Sequence, residues 1–180
     1  MPGVVFQSGE RVTLRTIEKE DTEVLQRARN EPDFQRGLLF RYPANQTMVE
    51  TFIEDVVEND DDSLQVLLCV DEKAVGFASL FNIRQAASAT LSYWLLPESR
   101  GEGYATEGVA LLIDHAFQTL GLHHLVAWTI DYNESSQALL DRLGFTHEGT
   151  YREHIFRQGE HNDTEHYGLL APEWERQGTI

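Results

Sequence analysis

The chain has 180 residues, 41% of them hydrophobic, and sets 30 acidic side chains against 14 basic ones for a formal charge of −16. That length and apolar content suit one domain, residues 1–180, with a core of its own. A surface this acidic repels nucleic-acid phosphates and anionic lipid, so neither is expected as a partner, and no stretch reaches the roughly 20 apolar residues of a membrane span.

The opening MPGVVFQSGER has neither the basic start nor the long apolar run of a secretory signal. The single cysteine, Cys69, sits in the apolar run LQVLLCV. It leaves no internal disulfide and reads as a buried thiol in a reducing, cytoplasmic setting. Acid is densest at residues 50–62 but spreads along the whole chain, and the only lysines are Lys19 and Lys73. Two explanations compete: steering of a cationic substrate, or adaptation to high salt. The global spread favours the second, and with it a halophilic source.

Taken in order, residues 11–17 (RVTLRTI) alternate polar and apolar and predict a first strand. An acid-led helix follows over 21–29, with Val24, Leu25 and Ala28 inward, ended by Asn30 and Pro32. Residues 34–45 show no period. A second amphipathic helix spans 48–57 before the acid run at 59–62. Residues 64–70, a turn at 71–73 and residues 74–83 predict a hairpin, and 89–96 should add a third antiparallel strand. Pro97 stops that strand because it has no N–H for a ladder. From Gly103 onward, Ala105, Val109, Leu112, Ala116 and Leu120 recur at helical spacing up to Gly121, a natural terminator. Then come a strand at 124–130, a short helix at 134–143 stopped by Gly144, a strand at 146–157, a turn at 158–160, a last strand near 164–170 and a helical turn at 172–176. The sum is a mixed α/β (α+β) fold, with a mostly antiparallel sheet of about seven strands and about four helices.

The informative stretch is residues 91–121, where an apolar strand runs through a glycine loop into a helix. Helix N-termini carry unpartnered N–H groups and a positive dipole, so this junction suits a phosphate. Gly103 and Gly108 match the glycine spacing of a P-loop, but Val109 and Ala110 stand where lysine and a hydroxyl residue belong. Gly101 and Gly103 begin a dinucleotide fingerprint whose third glycine position is Thr106. What remains is Arg100-Gly101-Glu102-Gly103-Tyr104-Ala105, of the form Q/R-x-x-G-x-G/A. With YWLLPESRGEGYATEG around it, and Asn133-Glu-Ser-Ser136, Leu143-Gly-Phe145 and Glu148-Gly149 downstream, it resembles the RimJ/RimL branch of the GNAT acetyltransferase superfamily.

The resemblance implies acetyl-coenzyme A as cosubstrate and a sheet with a splayed parallel pair in its middle. It implies cofactor contacts from Arg100, Gly101, Glu102, Gly103, Tyr104, Ala105 and Thr106 around the pyrophosphate, and from Leu95 and Leu96 along the pantetheine arm, where strand 91–96 parts from strand 124–130. The Leu95 N–H would face the thioester carbonyl and stabilise charge there. Asn133 would bond the arm, and Ser136 would return a proton to the departing thiolate. The local alternative is a helix cap for Asn133 and an unremarkable third position for Ser136. Glu107 matches a frequent glutamate of the family and also suits the helix dipole as a first-turn acid. Phe40, Arg41, Tyr42 and Tyr93 are candidate acceptor contacts, with packing as their alternative.

For the general base, Glu153, His154 and Tyr93 acting through water are candidates. Strand alternation allows at most one of Glu153 and His154 to face the groove. The histidines lack zinc-site spacing, so no metal is expected. The expected function is acetyl transfer to a primary amine, foremost a protein N-terminal α-amine, by direct attack in a ternary complex. A small amine acceptor (polyamine, aminoglycoside or amino acid) and a non-catalytic coenzyme A-binding sensor or subunit are the alternatives. Ile155, Phe156, Tyr167, Leu169 and Leu170 fit either a homodimer contact or the monomer core.

Overall fold

Eight extended segments pair into a single sheet in the computed structural model, which describes residues 3–37, 40, 42–57 and 61–174. Its strands are β1 (Val5–Ser8), β2 (Thr13–Arg15), β3 (Leu64–Val70), β4 (Lys73–Arg84), β5 (Ser88–Leu95), β6 (His124–Ile130), β7 (Thr146–Arg157) and β8 (Glu160–Leu170). They lie in the order β1-β2-β3-β4-β5-β6-β8-β7, and every neighbouring pair is antiparallel except β5 with β6. The helices are α1 (Thr22–Asn30), α2 (Pro32–Gly37), α3 (Gln46–Phe52), α4 (Tyr104–Gln118) and α5 (Glu134–Arg142).

Several boundaries differ from the sequence expectation. The N-terminal strand is a pair, β1 and β2, so the described residues form eight strands rather than about seven. Pro32 does not merely end α1; it opens α2, where a proline at the first position needs no N–H partner. Asn45 caps α3 by accepting the Met48 N–H at 2.9 Å, and the helix widens into a π-type turn at Ile53–Val57. Strand β8 starts at Glu160, four residues earlier than expected.

The two faces of the sheet carry separate apolar clusters. On one, Val109, Leu112, Ile113 and Ala116 of α4 pack with Leu68, Leu80, Leu91, Leu125 and Leu169, joined by Leu140 and Leu143 from α5 and its end. Each fully buried leucine there contributes on the order of 1.5–3 kcal/mol. On the other, Leu25, Ala28, Val49 and Ile53 cover Leu67, Cys69, Phe77, Trp94 and Leu96. Trp94 stacks on Phe77 at 5.6 Å and leans on Phe34 at 5.2 Å. Burial pushes the Cys69 thiol up to about 11, which keeps it protonated and inert. Ile155, Tyr167 and Leu169 are buried within this one chain, while Phe156 is exposed. Among the described residues no helix is long and apolar enough to cross a membrane.

The parallel pair positions the site. Strands β5 and β6 are in register only from Ser88–His124 to Thr90–Val126. Beyond that point β5 stays bonded to β4 as far as Leu95, and β6 to β8 as far as Ile130. The sheet therefore opens into a V between Leu91–Leu95 and Ala127–Ile130, flanked by α4 and α5 on one face and by α1 and α3 on the other.

Candidate active site

The β5–α4 junction follows from its proline and glycines. Pro97 starts a 3-10 turn through Ser99, after which Gly101 and Gly103 take φ of 85° and 84°. Only glycine adopts this left-handed backbone without penalty. The first bond inside α4 is donated by Glu107 to the Gly103 carbonyl at 3.1 Å. The N–H groups of Tyr104, Ala105 and Thr106 thus have no partner within the helix, and Gly103 has no side chain to cap them. This is an anion cradle at a helix N-terminus.

The cradle is held from behind by Arg11 and Glu107. Glu107 is only 4% exposed, and its Oε1 accepts the N–H groups of Arg11 and Val12 at 2.6 and 2.9 Å. Its Oε2 accepts from Arg11 Nε at 3.2 Å. Arg11 Nη1 donates in turn to the Glu102 carbonyl at 3.0 Å, and the guanidinium sits over the Tyr104 ring at 5.3 Å. Glu107 is therefore a tie between α4 and the start of β2, pointing away from the cleft.

A cleft of about 1120 Å³ occupies the V. Leu96 donates its N–H to the Val75 carbonyl at 2.8 Å, so alternation along β5 turns the N–H and C=O of Leu95 away from β4 and into the opening. Arg100 Nε donates to that Leu95 carbonyl at 3.3 Å, and Arg100 also pairs with Asp33 at 3.4 Å. An extended polar ligand laid against Leu95 would find the edge of an unfinished sheet.

On the far wall, the Asn133 side-chain oxygen accepts the Ser136 N–H at 3.3 Å and the Ser135 hydroxyl at 3.0 Å, capping α5. The Ser136 Oγ lies 2.7 Å from the Tyr93 hydroxyl, which also donates to the Ser136 carbonyl at 3.3 Å. Desolvation pushes the Tyr93 phenol up to about 12, against a smaller downward pull from the Ser136 bond. The two hydroxyls form a neutral, protonated pair at neutral pH, able to pass a proton to an anion in the cleft.

Of the residues expected at the site, Leu95, Arg100, Gly101, Gly103, Ala105, Thr106, Asn133, Ser136, Tyr93 and Phe40 line the cleft. Leu96 does not: it is buried in the core under α1 and α3. The Glu102 carbonyl and the Tyr104 ring are engaged by Arg11. Tyr42 is 77% exposed and away from the cleft, and Arg41 falls outside the described residues.

Glu153 and His154 are not brought to the cleft either. A bulge between Tyr151 and Ile155 puts Glu153 at φ 51°, with its N–H on Asp163 at 2.7 Å. His154 bonds Thr164 Oγ1 at 2.7 Å and lies edge-on to Tyr151 and Trp128. The bulge interrupts the two-residue alternation on which their placement was argued.

The cleft also gathers residues that sequence reasoning passed over: Arg29, Phe52, Gln65, Ser79, Ser92 and Trp128. Gln65, Ser79 and Ser92 stand opposite one another across β3, β4 and β5. Nothing local marks them, since each is an ordinary polar position within its own strand. The described residues contain no group of three or more potential metal ligands.

Residues 11–146 match the family model described as "Acetyltransferase (GNAT) domain". The chain is 30% identical to Bacillus subtilis (strain 168) "Putative ribosomal N-acetyltransferase YdaF", over 92% of this chain and 94% of that one. It is 25% identical to Escherichia coli (strain K12) spermidine N(1)-acetyltransferase, over 87% of this chain and 84% of the other. Among solved structures, the fold superposes on RimL, the ribosomal L7/L12 alpha-N-protein acetyltransferase in complex with coenzyme A. The TM-score there is 0.83 at 19% identity, covering 93% of this chain and 98% of RimL. A glycine cradle at a helix N-terminus, a sheet split beside it and these matches lead to one conclusion: the chain belongs to the GNAT acetyltransferase family and is an N-acetyltransferase that uses acetyl-coenzyme A as cosubstrate.

Proposed function

We propose that the acceptor is the α-amine of a protein N-terminus and that transfer is direct, within a ternary complex. The observation that carries this reading is the likeness over nearly the whole chain to YdaF, named a putative ribosomal N-acetyltransferase. The cleft supports it by drawing its lining from the elements on both faces of the sheet, which leaves one side for cosubstrate and the other for a peptide end.

The residues present fit acetyl-coenzyme A. The amides of Gly101 to Thr106 would hold its pyrophosphate, with Arg100 adding charge at the rim. The edge at Leu95 would pair with its extended amide arm, and Asn133 would flank that arm. Bound acetyl-coenzyme A supplies the activated acetyl group. The Leu95 N–H donates to the carbonyl oxygen on which charge develops, an effect worth roughly 3 kcal/mol in comparable sites. Ser136, backed by the Tyr93 hydroxyl, would deliver the proton that the departing thiolate needs, and the proton shed by the amine nitrogen as the amide forms would restore the pair.

Ser136→Ala tests this directly. Acetylation of N-terminal peptides should fall at least about 10-fold in kcat, with KM for acetyl-coenzyme A close to wild type. An unchanged kcat removes Ser136 from the chemistry. A small-amine acceptor is the second reading, favoured by the likeness to spermidine N(1)-acetyltransferase, and spermidine belongs in the same screen.

A further inference from the structure

Arg29 differs from three other arginines of the chain in what its guanidinium meets. Arg11, Arg27 and Arg100 each meet a carboxylate, from Glu107, Glu98 and Asp33 respectively. The Arg29 guanidinium meets two rings instead, Phe52 at 4.6 Å and Phe40 at 5.5 Å. Among the described residues no carboxylate pairs with it. It is half-buried, it lines the cleft, and desolvation draws its pKa below the usual arginine value. The group still carries its charge at any physiological pH. Aromatic faces steady a guanidinium but leave its in-plane N–H donors open, and that planar fork matches a carboxylate.

Among the described residues, the strand positions that line the cleft at Gln65, Ser79 and Ser92 are neutral. Gln65, Ser79 and Ser92 stand side by side across three strands, and Gln65 and Ser79 are buried. Asp33 is the one carboxylate lining the cleft among the described residues, and Arg100 holds it. A polyamine entering there would bring several positive charges beside a fixed guanidinium that no carboxylate among the described residues pairs with.

We infer that Arg29 reads a carboxylate on the acceptor, so that the enzyme acetylates N-terminal segments with an acidic residue next to the amine and rejects polyamines. This inference rests on the peptide N-terminus reading above. The amine itself must be neutral to attack, so the acidic side chain is the part of the acceptor that a fixed cation can select. A two-point guanidinium–carboxylate contact in a half-buried site corresponds to about 10- to 100-fold in kcat/KM.

The test compares synthetic peptides that begin Ala-Asp or Ala-Glu with their isosteric amides Ala-Asn and Ala-Gln. Spermidine and free glutamate are added, and wild type is set against Arg29→Gln and Arg29→Lys. Wild type should favour each acidic peptide over its amide by about 10- to 100-fold in kcat/KM. R29Q should bring that ratio close to one, and R29K should keep part of it. Because the readout is a ratio within one variant, a general loss of activity or stability in R29Q does not mimic the effect. If R29Q does not fold, the wild-type ratio and R29K decide the matter. Equal rates on acidic and amide peptides, a ratio unmoved in R29Q, or spermidine as the better acceptor overturns the inference while leaving acetyl transfer intact. Free glutamate outpacing every peptide overturns the peptide as the source of the carboxylate. Binding of acetyl-coenzyme A without turnover of any amine overturns the acetyl-transfer reading itself, and this inference with it.

Discussion

Glu107→Ala removes a buried carboxylate that satisfies two backbone donors and one guanidinium. The Val12 N–H is buried and would be left without an acceptor, at a cost of about 1–3 kcal/mol. The Arg11 N–H is partly buried and costs less, about 1 kcal/mol. The Arg11 side chain is 46% exposed, so its ion pair adds no more than about 1 kcal/mol after solvent screening. The total is about 2–5 kcal/mol, or about 4–20 °C in Tm for a chain of this size. Glu107→Gln separates the contributions, because its carbonyl oxygen still accepts both backbone N–H groups while its amide faces Arg11 Nε. That variant should lose only about 1 kcal/mol. Arg11 also grips the Glu102 carbonyl, so E107A should bind acetyl-coenzyme A several-fold more weakly than E107Q. Urea unfolding followed by circular dichroism, with calorimetry for the cosubstrate, reads all three quantities. An E107A variant within about 1 kcal/mol of wild type, or an E107Q variant equally damaged, would refute the assignment of Glu107 as a backbone tie.

Gly76→Ala would put a methyl group 2.4 Å from the Trp94 carbonyl oxygen and 2.5 Å from Leu95 Cδ2, on the strand end that lines the cleft. Overpacking against backbone costs about 1–3 kcal/mol, and displacement of Leu95 should lower kcat as well; a variant with wild-type Tm and kcat would show that β4 and β5 can part freely there. Burial raises the Asp21 pKa above the ordinary 3.8, partly offset by the Glu18 N–H that its carboxylate accepts. The folded state then binds the proton more tightly than the unfolded one. This group's contribution to stability is full below pH 3.8 and is lost as pH rises through the raised value. Asp21→Asn keeps an acceptor for Glu18 and should be at least as stable as wild type at pH 7. It should also flatten the dependence of unfolding free energy on pH above the ordinary 3.8, and identical pH profiles for the two proteins would count against the buried-acid account.

Strands β3, β6 and β7 were legible to the residue, because period and composition report which short segments bury one face or both. The glycine loop was legible for a related reason. A positive φ at Gly101 and Gly103 is a local backbone requirement that the residue type announces. Asn133 capping α5 belongs to the same class. Helix α2 was missed because one turn and a half is too short to show a period, and β1 because its pairing with β2 is shared with no local signal.

The cleft itself was settled only when the strands took their places. Ser136 meets Tyr93 across 43 residues, and Glu107 meets Arg11 across 96. The row Gln65–Ser79–Ser92 exists only in the register of β3, β4 and β5. A one-residue slip in that register would turn each of these side chains to the opposite face. The bulge in β7 had the converse effect: simple alternation allowed one of Glu153 and His154 to face the groove, and neither lines the cleft. Residue type and spacing are enough to declare a helix, a strand or an anion cradle, since those depend on neighbours in the chain. Which hydroxyl faces which, and which arginine meets rings where others meet carboxylates, depends on strand order and register, and those are decided by the packing of the whole sheet.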